Sequence, residues 1–584
     1  MDGVIDLGRC RLWRGFFTCM VARIHRELLP EIIVLLFIAV TFGRAQALPG
    51  GTSAQSGSRR QITAFHNPTQ KNNRGNDKKP ASSGKQNSRK NASVPLKSLA
   101  PADTGTVLAK IGDKTIFVDE FIRRAEYTIR PSYCKGDGGI EKKIVLNSLL
   151  AEKMLALEAG KENRLARSEI FQRMLQGRKE QLMREVLFYA EGTAKVKLDT
   201  AEVKKEYKVA GRTYRIEYFN VPNDSAAATI KQILDTSAAS FTDIYRALSG
   251  VDSLPPKRDV NWDSREDETV HRVLFKDPPK VNQIIGPVEV NDESNLFIRV
   301  KGWTDHVAFT EKQIADRWSD VREEMTRSQA EECYDGYVGR LMNGKTLQLD
   351  PATFKKFVEI VAPLYLESVK EKDQSLSKDL LTKSFWDDPK SRDVERNLHS
   401  LRDQTLFTVN NKVWTMEEML KEMQRHPLVF RTRNLTPKNI AEHLKLAIAD
   451  MVRDRYLADD AYKRGYDKFP NVVHYTEMWE DAILSLWQKS AYLDSIGVSD
   501  NGQMEVVTKY LDPYVDSLRR KYSDRIEVNV NPFNEIKLTR IDMIALQNKV
   551  PFAVYVPAFP QLTTHKWLDY GKVMNPEKEG VQRK

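Results

Sequence analysis

The chain is poor in the residues that most small catalytic or structural devices need. It has four cysteines in 584 residues, Cys10, Cys19, Cys134 and Cys333. That excludes a disulfide framework and any paired-cysteine metal spacing. Its nine histidines are scattered. None forms a His-Glu-x-x-His pair, and no Gly-x-Ser-x-Gly elbow occurs, so neither a zinc hydrolase nor a serine hydrolase is expected. His271, His443 and His474 read as surface or satisfied core residues. No metal and no cofactor is expected. The apolar run Ile32–Phe42 is about a dozen residues, shorter than the ~20 a spanning helix needs.

Charge of one sign is also missing where it would matter. The net charge is +11, but residues 48–106 hold ten Lys/Arg against two Asp/Glu, and residues 1–47 carry +2. From Val107 onward the chain is close to neutral, at +1. A duplex binder carries its basic stripe on a folded face, so nucleic acid is not an expected partner.

What is present is a repeat. Val107–Pro131 reads VLAKIGDKTIFVDEFIRRAEYTIRP and Thr405–Pro427 reads TLFTVNNKVWTMEEMLKEMQRHP. Each has an apolar strand, a tight turn (Gly112-Asp113, Asn410-Asn411), a second short strand and an acidic helix start. Self-similarity of this kind implies two related structural units. A long amphipathic helix follows each. One is predicted over 141–160, with Leu146, Leu150, Met154 and Leu157 on one face. The other carries Leu444, Ile448 and Val452 and ends near Gly465.

The rest of the chain divides by composition. Residues 1–47 read as a signal peptide. Arg23 and Arg26 precede the apolar run, and Ala45-Gln46-Ala47 supplies small residues for cleavage. Met20 would give a more typical signal length than Met1. Residues 48–106 are Ser, Gly, Asn, Lys and Pro with few apolar side chains, a disordered basic linker by composition. Residues 107–211 form the first helical unit, with helices over 167–191 and from an N-cap at Asp199. Residues 212–305 change to mixed strand and helix, with strands at 214–221 and 297–300. Residues 306–403 are a helical connector, 404–539 the second helical unit, and 540–584 a Pro-rich arm. Short strands are predicted at 526–530 and 536–538. Cys134 and Cys333 remain after signal removal and read as unpaired thiols, although an oxidising compartment would permit a bridge. The fold class is α+β, mainly helical units with one small α+β module inserted.

One local motif needs context. Gly339-Arg-Leu-Met-Asn-Gly344-Lys345-Thr346 spells a P-loop, which requires a strand before it and a helix after it. Here the helical pattern precedes and the extended pattern follows, so Gly344 reads as a helix C-cap.

Several stretches in order resemble the SurA/PrsA/PpiD-like periplasmic foldases, in which helical chaperone units flank parvulin-type peptidyl-prolyl isomerase modules. They are Ala109–Asp113 with Val118–Phe121, Leu149–Leu155 with Glu158–Gly160, Leu198–Tyr207, Asn261-Trp262, Val273–Phe275, Ile285–Val288 and Phe297–Val300. The resemblance implies a degenerate parvulin-like module over 212–305. It places Glu217 and Leu296 where the family has two histidines, Val270 where it has a pocket Phe, and Trp262 and Phe275 on retained positions. A carboxylate and an isobutyl group cannot reproduce two imidazoles, so isomerase activity is expected to be lost.

The resemblance further implies an ATP-independent, periplasmic chaperone that holds unfolded secreted or outer-membrane polypeptides in a cleft between units. Affinity should be micromolar, roughly 8 kcal/mol of net binding. A minority of Trp386, Trp414, Trp479, Trp487, Met416, Met419 and Met423 would line that cradle. Membrane contact would be at most through the signal or the basic tail. Two rival readings remain: an active isomerase using substitute residues, and a structural or assembly protein of the cell envelope.

Overall fold

Alternating apolar residues with a two-residue turn make a hairpin, and both copies of the repeat form one. In the computed structural model β2 (Val107–Ile111) pairs with β3 (Lys114–Phe117), and β9 (Thr405–Val409) with β10 (Lys412–Thr415). Gly112 (φ 60°) turns the first hairpin; Asn410 (φ 47°) and Asn411 (φ 67°) turn the second, both left-handed as a tight hairpin demands. The structure describes residues 4–7, 105–366 and 394–574, apart from 136–138, 238, 251, 265–267, 292–293, 395, 433–434, 501–503, 540–542 and 544–553. The sequence-predicted linker over 48–106, except residues 105 and 106, and nearly all of the predicted signal segment lie outside them. The exception there is β1 (Val4–Asp6) with the adjoining Leu7.

Helices follow each hairpin in the same order. In the first repeat they are α1 (Val118–Glu126), α2 (Gly139–Ala159) and α3 (Glu169–Glu191). Ser168 caps α3 by accepting from the Phe171 amide. After α4 (Thr200–Ala210), capped by Asp199, comes the inserted segment. It holds β4 (Arg212–Val221), α5 (Asp224–Thr236), α6 (Phe241–Ser249), β5 (Lys257–Asn261), α7 (Glu268–His271), β6 (Ile284–Asn291) and β7 (Ser294–Asp305). The chain returns through α8 (Glu311–Met342), β8 (Thr346–Leu349) and α9 (Pro351–Leu366). The second repeat continues with α10 (Met416–Arg425), α11 (Ile440–Lys463), α12 (Pro470–Ser495), α13 (Asp512–Tyr522), β11 (Ile526–Val528), α14 (Val530–Glu535) and β12 (Lys572–Val573). The class is α+β, as predicted.

The repeats exchange strands. β8, which closes the first repeat, pairs with β9 of the second; β11, which closes the second, pairs with β2 of the first. The registers coincide residue for residue. Leu347, Gln348 and Leu349 oppose Val409, Thr408 and Phe407. Ile526, Glu527 and Val528 oppose Ile111, Lys110 and Ala109, the repeat-equivalent positions. The flanking bonds match too. The Asn410 amide donates to Thr346 O (3.3 Å) and the Gly112 amide to Arg525 O (3.1 Å). The Asp350 amide donates to Leu406 O (2.9 Å) and the Asn529 amide to Leu108 O (2.8 Å). The helices exchange as well: α12 packs on α2, while α3 packs on α10 and α11.

One consequence is a shared core. Leu108, Ile111, Phe121, Leu149, Leu150 and Met154 of the first repeat are buried with Val515, Leu518, Ile526 and Phe533 of the second. The repeats therefore do not stand apart as two units with a cleft between them. Together they make one compact unit, up to Lys195 and from Ala330. Of the Pro-rich arm, residues 554–571 pack as irregular chain ahead of β12, with Val556, Phe559 and Leu562 buried.

Two buried ionic clusters accompany the exchange. Asp481 and Glu180 are each the twelfth residue of their helix, α12 and α3. Asp481 meets Lys153 (3.1 Å) and Lys114 (2.7 Å) of the other repeat, and Lys153 also reaches Glu120 (3.2 Å). Glu180 meets His426 (2.6 Å) and Arg425. Burial pushes the Glu120 and Glu180 carboxyls up, but the surrounding cations outweigh it. Lys153, His474 and Arg124 hold Glu120 at about 2, and His426 and Arg425 hold Glu180 at about 2.

Other sequence expectations resolve as follows. Gly344 (φ 71°) ends α8, Lys345 Nζ donates to Leu341 O, and Thr346 begins a strand, so the P-loop spelling is a helix end. Cys134 and Cys333 are free thiols. Residues 536–538 are not a strand. Among the described residues no helix is long and apolar enough to cross a membrane.

Candidate functional site

The inserted segment belongs to a second compact unit, Val196–Gln329, wider than the predicted 212–305. The extra length has a physical reason. Val203 and Ala210 of α4 bury against Val321 and Met325 of α8, with Trp262 packed on them. Its four strands form one antiparallel sheet in the order β5-β4-β7-β6. Alternation along β4 separates two cores. Tyr214, Ile216 and Tyr218 face one side, where Val260, Leu274 and Val300 also lie. Phe219 and Val221 face the other, under Ala227, Ile230, Phe241 and Ile244 of α5 and α6.

Four of the five sequence-predicted site residues come together on the first side. Val270, Phe275 and Leu296 are buried there and Trp262 packs against them. The Trp262 ring lies 5.2 Å from Phe275 and 4.6 Å from His271, both edge-on. Tyr214 closes on Phe275 at 5.2 Å. These rings pack on one another in the core of that face.

Glu217 does not join them. Its strand partner is Arg299, whereas that of Leu296 is Asn220. Arg299 Nε donates to Glu217 Oε2 at 2.8 Å, and its Nη2 also bonds the carboxylate and Thr242 Oγ1 (3.1 Å). The guanidinium lies 5.0 Å over the Phe241 ring. Glu217 is thus on the α5–α6 side, committed to an ion pair, and cannot act together with Leu296.

The sequence reading missed a polar cleft at the rim of the first side. It is open to solvent and lined by Glu202, Glu206, His271, Arg272, Lys276, Glu324 and Met325 among others. Burial pushes the Glu206 carboxyl up to about 7, against the nearby Lys276 charge and with Glu324 and Glu202 adding to the rise. His271 is buried, with Nδ1 3.9 Å from Glu324. The signal available in sequence was the Glu202/Glu206 spacing on α4, but nothing local says which charges α8 would bring to it. Its three carboxylates stand beside Arg272 and Lys276, so the lining carries both signs of charge. Among the described residues no group of three or more acidic, His or Cys side chains could hold a metal.

The predicted cradle residues divide. Met416, Met419, Met423 and Trp479 are core, Trp414 and Trp487 are half-buried, and Trp386 lies outside the described residues. Exposed large apolar side chains are scattered over the described residues; Val307 and Phe309 (83% exposed) lie between β7 and α8, and Ile314 on α8. No family model matches the chain, and neither curated proteins nor solved structures give a match.

Proposed function

We propose that the protein is a secreted, periplasmic, ATP-independent chaperone of the SurA/PrsA-like kind, holding unfolded secreted or outer-membrane polypeptides, with an inserted parvulin-like module that no longer isomerises proline. The observation that carries this reading concerns the two positions that the resemblance aligns with imidazoles: Glu217 is paired with Arg299 and Leu296 is buried in the core, within a four-stranded sheet. Lowering an amide rotation barrier of ~20 kcal/mol needs an apolar proline pocket and polar groups converging on the amide. Val270 stands in place of the aromatic pocket residue that the resemblance expects, and of the two positions aligned with imidazoles Leu296 is apolar and Glu217 lies on the other face of the sheet.

Holding needs less chemistry. Exposed apolar side chains such as Val307 and Phe309 offer burial to a non-native chain without demanding a sequence. No nucleotide is involved, and binding is reversible because its net free energy is modest.

Two assays test the reading. Light scattering from a urea-denatured outer-membrane protein diluted into buffer should fall with added protein, without ATP. A protease-coupled assay on a proline tetrapeptide should stay at the uncatalysed rate. Unchanged scattering would overturn the chaperone; clear catalysis would overturn the inactive module.

A further inference from the structure

In each exchanged sheet the hairpin is followed by a strand that arrives from the other repeat, β8 in one and β11 in the other. In both sheets that strand's outer edge is covered by an extended segment from far along the chain. On β8 it is β1, antiparallel, with Val4, Ile5 and Asp6 opposite Gln348, Leu347 and Thr346, and the Leu7 amide donating to Lys345 O at 3.0 Å. On β11 it is β12, parallel, with Lys572 and Val573 opposite Glu527 and Val528, and the Met574 amide donating to Val528 O at 2.9 Å.

The two added strands share no sequence and run in opposite directions. They share extended backbone and an adjoining buried apolar residue, Leu7 and Met574. Equivalent edges that accept either direction recognise main chain first, which is what strand addition requires. The β1 strand is also displaceable. It has three residues, each ladder bond contributes only about 1 kcal/mol net, and residues 8–104 intervene before the next described residue.

We propose that the outer edge of β8 is a strand-acceptor site for extended segments of non-native polypeptide, occupied in cis by residues 4–7. This rests on the chaperone reading above. Signal removal after Ala47, the sequence expectation, would take β1 away and leave the edge open to a client strand. The Leu7 bond fixes the ladder phase: Ile5, two residues back, also faces Leu347 with its N–H and C=O, and the Asp6 N–H points away.

The test uses the full chain, wild type and with I5P plus L7D to release β1. The probe is a fluorescein-labelled Gly-Val-Ile-Asp-Leu-Gly peptide followed by anisotropy, with circular dichroism confirming that the variant is folded. The variant should bind the peptide about tenfold more tightly than wild type. N-methylation of the Ile or Leu nitrogen should weaken binding about tenfold or more, and N-methylation of the Asp nitrogen by less than about twofold. Urea-denatured outer-membrane protein should displace the peptide. Equal loss at all three nitrogens, no binding to the folded variant, or no displacement would overturn the acceptor site even where scattering is still suppressed. The methylation pattern appearing without scattering suppression would instead keep the edge as a peptide site and sink the chaperone reading.

Discussion

At Gly177 of α3 a Cβ would sit 1.9 Å from the carbonyl oxygen of Arg425, at the end of α10. The exchanged helix approaches the other repeat that closely because glycine presents no side chain there. G177A should therefore destabilise the repeat unit by roughly 1–3 kcal/mol, by forcing backbone apart in a packed interface. G339A, also inside a helix but with no atom within 4 Å of the new Cβ, should stabilise by about 0.5–1 kcal/mol. Chemical denaturation of both variants checks the pair. Neither site was legible in sequence, because both glycines sit in equally helical patterns and only the partner backbone distinguishes them.

Lys153 carries a second residue-scale prediction. Removing it leaves buried Glu120 without its lysine and buried Asp481 with Lys114 alone, so K153M should cost about 3–5 kcal/mol at neutral pH. Glu120 and Glu180 are held at about 2, below the ordinary 4.5, so both bind protons more weakly folded than unfolded. Their stabilisation is complete above about pH 4.5 and is lost as pH falls toward 2. Urea midpoints against pH should show that loss in the wild type and a smaller one in K153M, where Glu120 has lost the lysine that keeps it ionised.

At the scale of elements, the sequence was read well wherever local chemistry decides. Both hairpins, the helix start at Asp199 and the helix end at Gly344 were legible from turn and cap residues, whereas the Ser168 cap of α3 was not read. β5 was not. Lys-Arg-Asp-Val-Asn over 257–261 has one buried side chain and forms a strand because β4 offers it an edge. The strand predicted at 536–538 has β propensity, but no ladder partner reaches it.

The inserted module makes its own prediction. R299M leaves buried Glu217 with only the exposed Lys257 at 3.8 Å and should lower the module's melting temperature clearly. Adding E217Q to R299M should restore most of the loss, because the cost lies in the orphaned charge. Calorimetry on the three variants decides it. Equal melting of single and double variants would mean that the pair is not what fixes the sheet.

At the scale of the whole chain, the duplication was legible and the exchange was not. Two copies of a hairpin-and-helix unit look the same in sequence whether each helix packs on its own hairpin or on the other's. The choice lies in contacts such as Asp481 with Lys153 and Glu180 with His426, more than 200 residues apart. A shared core makes the repeats unfold together. D481A in α12 should therefore lower hydrogen-exchange protection of β2 and α2 as much as that of α12 itself. The placement of Glu217 was lost for the same reason as the exchange, since which face a strand residue takes depends on a register that neighbouring strands set.

The central claim, that this fold holds non-native polypeptide, is tested most directly by fluorescence anisotropy of one labelled outer-membrane protein, presented unfolded and then folded in detergent, with no nucleotide present. The account predicts saturable binding near micromolar for the unfolded chain and none for the folded one. Equal affinity for both states, or none for either, would contradict it.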